Sequence, residues 1–469
     1  MNNTVKIIAS ILFLFFSKLN AKVNLSGNAS TYAGQELVFN VYSDPFTETE
    51  IEIGKCKVST NGDFSIILPI NNTTYIFSHL GVFKGYMYVE PGKSYIISFP
   101  DKTEKSSADK LNPFYKETEF QFAVKNLKDK DLNFLIMSFN DTYSPYYNKF
   151  AMNLNSKKSK TLIDTTVLAL KKLNANTENL FYDSYVEYKI GYLKHLAYQQ
   201  KSKSVTLVYF KGRDILYSNP AYTELFNEVF NKYFYFFGQT IPGKKIFQDI
   251  NRDKSYYELN ESLQLDSFLS ENSLRELVIL KNIYDEFYSD KFSRSALLNI
   301  LDSLKEKTKI NEHKVIAEYI RKKITRLMPG YAPPFFELFD KDGKLVKLTD
   351  LIGTYVYLNF CSCSSYGCIK EFDLLKHISE KYKDKLKVIT ISTDDNLKIM
   401  VDFVNKSQLN WTFLHYGNQP EIIQQYDIRA YPTYFLIDPK GKLVLSPAAS
   451  PGESFEMYLF QVMKQRGEI

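Results

Sequence analysis

Leu358-Asn-Phe-Cys-Ser-Cys-Ser-Ser-Tyr-Gly-Cys-Ile-Lys-Glu371 decides how this sequence is read, because it joins two different hydrophobic periods. Before its cysteines, Tyr355-Val-Tyr-Leu-Asn-Phe360 is a nearly continuous apolar run of strand length. After them, Phe372, Leu375, Ile378 and Tyr382 recur at helical spacing. A strand that turns tightly into a helix aims backbone N–H groups at whatever sits in the turn, and a thiol there ionises more readily. Three of the four cysteines, Cys361, Cys363 and Cys368, lie in this turn.

Downstream, Lys387-Val-Ile-Thr-Ile-Ser392 reads as a second buried strand, and Asp395 to Val404 begins a crossing helix. Strand, helix, strand, helix implies a parallel core with right-handed crossovers. At these residues a resemblance becomes specific. Leu358-Asn-Phe360, Cys368 and Lys370-Glu371 resemble the TlpA-type thiol-disulfide oxidoreductases of the bacterial envelope, whose thioredoxin fold carries Asn-Phe-Trp-Ala-x-Trp-Cys-x-x-Cys-x-x-Glu at this point. The register needs no gap. In it the family's attacking cysteine falls on Ser365, its resolving cysteine on Cys368, and its two tryptophans on Cys361 and Ser364.

Two further stretches look like the same family. Gly330-Tyr-Ala-Pro-Pro-Phe-Phe-Glu-Leu-Phe-Asp-Lys-Asp-Gly-Lys344, with Val346 to Gly353, resembles the opening hairpin of TlpA and peroxiredoxin domains. Ile428 to Lys442 resembles the Pro-Thr strand and its following hairpin. The resemblance implies a cis bond before Pro432 and a role for Tyr431, Pro432 and the neighbouring Tyr366 in binding an extended substrate. It also implies that residues 326–469 form an α/β thioredoxin-like domain.

Two functional readings follow. Thiol-disulfide exchange needs a thiolate, and a serine hydroxyl neither ionises readily nor forms a mixed disulfide. In the first reading Cys363 and Cys368 form a displaced redox pair around Ser365, with Cys361 held at the strand end; a bridge needs Cα atoms within about 7 Å. In the second the domain is redox-silent and binds an extended peptide or another envelope partner at Tyr366, Tyr431 and Pro432. Two weaker readings are a peroxiredoxin-like Ser365-x-x-Cys368 with Arg429, and a Cu(I) site on Cys361 and Cys363. No histidine is close in sequence, so neither a metal nor a cofactor is expected. Asn359 reads as a hydrogen-bonded strand residue, Glu371 as a charge at the helix start, and Trp411 as core or rim.

The 469-residue chain is 44% hydrophobic and 24% charged, enough for several globular domains. Met1 to Ala21 combines Lys6, the apolar run Ile7 to Phe16 and Ser17-Lys-Leu-Asn-Ala21. It reads as a cleaved secretory signal, too short to span a bilayer, which points to a periplasmic protein with no membrane span after cleavage. Removing Lys6 and Lys18 lowers the formal charge of +6 by two. Lys157-Lys158-Ser-Lys160 and Arg321-Lys-Lys323 read as solvated faces, and nothing points to nucleic acid. The expected partner is a protein or peptide of the cell envelope, where disulfides persist.

Residues 22–101 read as short strands in a β-sandwich: Glu36 to Tyr42, Ile51 to Val58, Asp63 to Leu68, Thr74 to Ser78, Tyr86 to Val89 and Tyr95 to Phe99. This stretch is similar to the β domains that precede thioredoxin domains in exported Bacteroidota proteins. Asn61-Gly62 carries a hairpin signal, and Cys56 alternates within a strand as a small buried hydrophobe. A polar linker follows. Residues 108–325 show helical periodicity, with Phe181, Tyr185, Tyr192 and Leu196 on one face and Leu297, Ile300, Leu301 and Leu304 on another. Ser273-Leu-Arg-Glu276 has capping-box spacing. The fold class is therefore multidomain α+β: a β-sandwich, a helical middle domain and a thioredoxin-like end.

Overall fold

The computed structural model describes residues 22–112, 114–128, 130–152, 159–173, 177–198, 202–417 and 419–469. The expected signal at 1–21 lies outside them, as do Lys157 and Lys158 of the basic run. The chain is mixed α and β, with a β-rich amino-terminal region, a helical middle and an α/β carboxy-terminal region. No described helix is long and apolar enough to cross a membrane.

Two sheets share the amino-terminal core. One has the order Asp63–Pro69, Lys22–Asn28, Ser94–Ser98, Ala123–Val124; the other has Glu50–Lys57, Glu36–Tyr42, Thr74–Leu80, Phe83–Val89, Thr118–Gln121. Val23, Leu25, Phe39, Leu68, Ile76, Met87 and Ile97 fill the space between them. The Asn61-Gly62 turn differs from expectation. Glu50–Lys57 pairs with Glu36–Tyr42, and Asp63–Pro69 pairs with Lys22–Asn28, so the turn carries the chain from one sheet to the other instead of closing a hairpin. Gly62 still adopts the positive φ of 86° that made the turn legible.

Residues 118–124 also depart from the expected boundaries. Thr118–Gln121 pairs in parallel with Phe83–Val89, Ala123–Val124 pairs with Ser94–Ser98, and Phe122 is buried in the two-sheet core. The β region thus recruits strands from beyond the polar stretch, because its outer strands otherwise present unpaired backbone. Cys56 is half-buried against the same core as a free thiol.

The helical middle runs from Leu132–Met152 to Asn311–Thr325 around an aromatic core that includes Phe139, Tyr188, Phe210, Tyr222, Phe226 and Phe230. Phe46 and Tyr88 of the β region enter this core, with Phe46 6.0 Å from Phe226 between ring centroids. Asn133 fixes the contact by donating to and accepting from the Tyr88 backbone, both at 2.8 Å. Ser273 and Glu276 do not form a capping box. The helix Asn272–Glu286 starts at an uncapped Glu271, and Glu276 is buried, accepting from Tyr256, Asn272 and Thr308 and facing His313. A buried carboxylate held by four partners has no freedom to reach back to the helix start.

The carboxy-terminal region is a seven-stranded sheet in the order Leu345–Lys347, Glu337–Asp340, Thr412–His415, Leu386–Ser392, Tyr355–Cys361, Thr433–Ile437, Leu443–Ala448. The central strand Tyr355–Cys361 is buried throughout and runs parallel to Leu386–Ser392 and antiparallel to Thr433–Ile437. Both faces are covered, as a buried parallel strand requires. Strand alternation sends Tyr355, Tyr357 and Cys361 to one core, against Phe372, Leu375 and Ile378 of the helix Tyr366–Lys381. It sends Val356, Leu358 and Phe360 to the other.

Candidate functional site

The site lies where the central strand ends and the helix Tyr366–Lys381 begins. Ser365 is the residue before the helix, extended at φ −81° and ψ 122°, and its carbonyl accepts from the Cys368 and Ile369 N–H groups at 3.1 and 3.0 Å. Its side chain caps nothing. Tyr366 is 82% exposed. The next residue, Gly367, faces the Tyr431–Pro432 peptide, which is cis: a Cβ at 367 would stand 3.5 Å from both the Pro432 ring and the Tyr431 carbonyl oxygen. The structure therefore brings Ser365, Tyr366, Cys368, Tyr431 and Pro432 to one place.

The expected Cys363–Cys368 pair is corrected. Cys361 and Cys368 form the disulfide, with Cα atoms 5.8 Å apart, and Cys363 is free. Strand alternation gives the reason. Cys361 shares its face with Tyr357, beneath the first helical turn that directs Cys368 inward along with Phe372 and Leu375. Cys363 is buried in the same core but unbridged. Its N–H donates to both carboxylate oxygens of Asp394, at 2.9 and 3.1 Å.

Asp394 organises this loop. It is 4% exposed and also accepts from the Ser392 hydroxyl at 2.6 Å and the Ser362 hydroxyl at 2.8 Å, while His415 Nε2 donates to its backbone carbonyl at 2.9 Å. Burial alone would raise its carboxyl, but the donors from Ser392, Cys363 and Ser362 outweigh that and hold it below the usual carboxylate range. The same carboxylate acts on Cys363 in the opposite sense. Burial first, then the Asp394 charge, push the Cys363 thiol far above the ordinary thiol range. Every cysteine in the turn is thus enclosed, at 1% exposure for Cys361, 6% for Cys363 and 0% for Cys368.

The surrounding polar residues have structural partners. Asn359 donates to the Ile389 carbonyl and to Thr390 Oγ1, which also accepts from Trp411 Nε1 at 2.8 Å; Trp411 is core, packed on Phe372 and Phe413. Glu371 lies beyond the first helical turn and accepts from the Tyr434 hydroxyl instead of charging the helix start. Tyr431 is half-buried, and burial raises its phenol. Among the described residues, neither its N–H nor its carbonyl has a backbone partner. Among those residues no cluster of His, Cys, Asp or Glu is arranged to hold a metal.

Sequence reasoning missed Cys361 as the bridging residue and Asp394 as the anchor of the loop. The alternation Tyr355, Tyr357, Cys361 was a usable signal for the first. For the second, the polar Ser392-Thr-Asp394 ending an otherwise apolar strand was the trace.

Residues 329–446 match the AhpC/TSA family. Over 120 residues the chain is 33% identical to the thiol-disulfide oxidoreductase ResA of Bacillus anthracis, covering 25% of this chain and 69% of that protein. It is 30% identical over 135 residues to ResA of Bacillus cereus, covering 28% and 78%. Among solved structures, the thioredoxin domain of a thiol-disulfide oxidoreductase from Bacteroides vulgatus is similar at a TM-score of 0.27 and 23% identity, covering 29% of this chain and 97% of that domain.

Proposed function

This chain belongs to the thioredoxin-fold redoxin family that includes the ResA thiol-disulfide oxidoreductases, and we propose that it is a redox-quiet member of it. In this reading the domain binds an extended segment of a protein partner in the cell envelope, and the Cys361–Cys368 bridge braces the binding platform. One observation carries the proposal: no sulfur in the turn is presented to solvent, and a hydroxyl, Ser365, stands at the helix start where an attacking thiolate is needed. The free Cys363 is buried beside a carboxylate, which keeps it protonated at neutral pH. Binding itself is supported by the unpaired main chain of Tyr431 beside Gly367 and the exposed ring of Tyr366, a geometry suited to adding an extended peptide through backbone hydrogen bonds.

The test is redox titration of the full chain, with cysteines trapped by alkylation and mapped by mass spectrometry, alongside insulin reduction. The expected result is a Cys361–Cys368 bridge that stays closed through the glutathione range, with a potential below about −300 mV, and no insulin turnover. A reversible dithiol–disulfide transition between about −120 and −270 mV, with turnover abolished by Cys368→Ser, would overturn the proposal in favour of an oxidoreductase built on Cys361 and Cys368.

A further inference from the structure

A cleft of about 860 Å³, with no cysteine in its lining, opens where the five-stranded sheet meets the helical middle. Its size is that of a small-molecule site, and domain junctions are where such sites concentrate. One wall is Tyr42, Tyr75 and the loop that carries Asp44 and Glu48. The other is one face of the helix Pro220–Val229, with Glu224, Asn227 and Glu228, together with Tyr217 and the first turn of Asn311–Thr325, with Glu312. Six carboxylates line the cleft against one ammonium, Lys281, and that ammonium is taken by Asp285. Glu224 is paired with Lys189 at 2.5 Å. Among the described residues, Glu48, Glu228 and Glu312 make no ion pair.

The direction of the hydrogen bonds makes the chemistry more specific than the charge alone. Four donors around the cleft are spent inside the protein: Ser43 on Asp44 at 2.7 Å, Thr74 on the Asn72 carbonyl at 2.7 Å, Thr223 on the Asn219 carbonyl at 3.2 Å, and the Asn227 amide on the Pro45 carbonyl at 3.4 Å. That last bond leaves Asn227 Oδ1 buried without a partner. Tyr217 is oriented from behind. Glu276, 3% exposed, accepts a hydrogen bond from Nδ1 of His313, which is fully buried, at 2.8 Å. The other ring nitrogen, Nε2, lies 2.9 Å from the Tyr217 hydroxyl and fixes its position. Burial, with Glu312 and Glu276 nearby, pushes the Tyr217 phenol up, so it stays protonated. Its oxygen retains a lone pair for a ligand. The cleft therefore offers acceptors and negative charge beside the rings of Tyr75 and Tyr217, while Tyr42 already holds the Lys84 ammonium at its hydroxyl and ring.

We infer that this cleft is a binding site for an organic polycation, a ligand bearing two or more ammonium or guanidinium groups, held by Glu48, Glu228 and Glu312, the Asn227 and Tyr217 oxygens, and the tyrosine faces. Two sources present that chemistry, a free polyamine and the lysine or arginine side chains of a peptide. Isothermal titration calorimetry of the full chain at low salt, with spermidine in one arm and a trilysine peptide in the other, separates them; maltotriose is the neutral control. The expected result is saturable binding of at least one cation. It weakens tenfold or more in the Glu228→Gln/Glu312→Gln variant, weakens at least threefold in Tyr217→Phe, and falls with ionic strength. Spermidine binding alone assigns the cleft to a free polyamine, and trilysine binding to a peptide. The inference is overturned if neither cation binds saturably at millimolar concentration, if the double carboxamide variant binds as tightly as the wild type, or if maltotriose binds equally well. The altered carboxylates lie at the cleft surface, and an unchanged melting temperature of the variants shows that a lost signal is lost binding.

Discussion

Replacing Asp394 with alanine tests the account of Cys363 most directly. The carboxylate accepts from the Cys363 N–H, the Ser392 hydroxyl and the Ser362 hydroxyl at 2.9, 2.6 and 2.8 Å. Hydrogen bonds to a charged acceptor contribute about 1.5–3 kcal/mol each, and a buried donor left without an acceptor costs about 1–3 kcal/mol. The serine hydroxyls are free to rotate toward other acceptors, whereas the Cys363 N–H is fixed by the backbone. The relieved burial of the Asp394 charge offsets part of the loss. A net local destabilisation of about 3 kcal/mol remains, confined to the 362–364 loop, which corresponds to roughly a hundredfold rise in its open population. The assay is the rate of Cys363 labelling by an excess of thiol reagent at pH 8 in the native protein, which follows the open population when reclosing is fast. Removing the neighbouring charge also lowers the thiol pKa, so both effects act in the same direction. Asp395→Ala, at the exposed neighbouring position, is the control and leaves the rate unchanged. A rate for Asp394→Ala within threefold of wild type would refute the claim that this carboxylate keeps Cys363 inert.

Three other outcomes are expected. Burial lowers the affinity of His79 for a proton, but hydrogen bonds from Nδ1 to Glu117 at 2.7 Å and from Nε2 to Glu50 at 2.8 Å outweigh it and raise the pKa to about 9. Because the folded value exceeds the unfolded one, this contribution is fully present below about pH 6.5 and is lost as pH rises through 9. The histidine ring resonances should titrate near 9, and the alkaline fall in melting temperature of the β region should flatten in His79→Gln. A Cβ at Gly27 would stand 2.1 Å from the Ile97 backbone carbonyl, which no side-chain rotation relieves, so Gly27→Ala should destabilise the β region by about 3 kcal/mol. Gly92→Ala, with φ of 79° and open space around it, should cost only about 1 kcal/mol; equal denaturation midpoints for the two variants would contradict the packing argument. The Cys361–Cys368 bridge closes a loop over a separation of 7 residues, so Cys361→Ser/Cys368→Ser should lose about 2–3 kcal/mol in chemical denaturation of the carboxy-terminal region. Peptide binding at Tyr431 should weaken in that variant, whose platform has lost its brace.

Much of this protein can be read locally, and the places where reading fails share a cause. The apolar run at Tyr355, the helical recurrence from Phe372 and the Pro432-Thr433 pair are patterns within a few residues, and each marked its own element. The strand Glu36–Tyr42 has the bounds that its alternation implied. Asn61-Gly62 correctly signalled a turn, but a turn does not specify which sheet receives the next strand; that depends on Lys22–Asn28 being the partner of Asp63–Pro69. Ser273 and Glu276 have the spacing of a cap, and a buried cluster formed by Tyr256, Thr308 and His313 drew the carboxylate inward.

The amino-acid sequence by itself determined that a strand meets a helix at a cysteine-rich turn, that serine stands at the helix start, and that strand and helix alternate downstream of it. These follow from periodicity and residue type, which act over one or two turns of chain. Only the tertiary structure decided which sulfur pairs with Cys368. That choice rests on Asp394, about thirty residues downstream, which captures the Cys363 backbone while strand alternation leaves Cys361 beneath the helix. The cleft between the sheet and the helices was likewise beyond sequence reading, because its acceptors come from segments as distant as Glu48 and Glu312. Their common orientation exists only once the two regions have packed together.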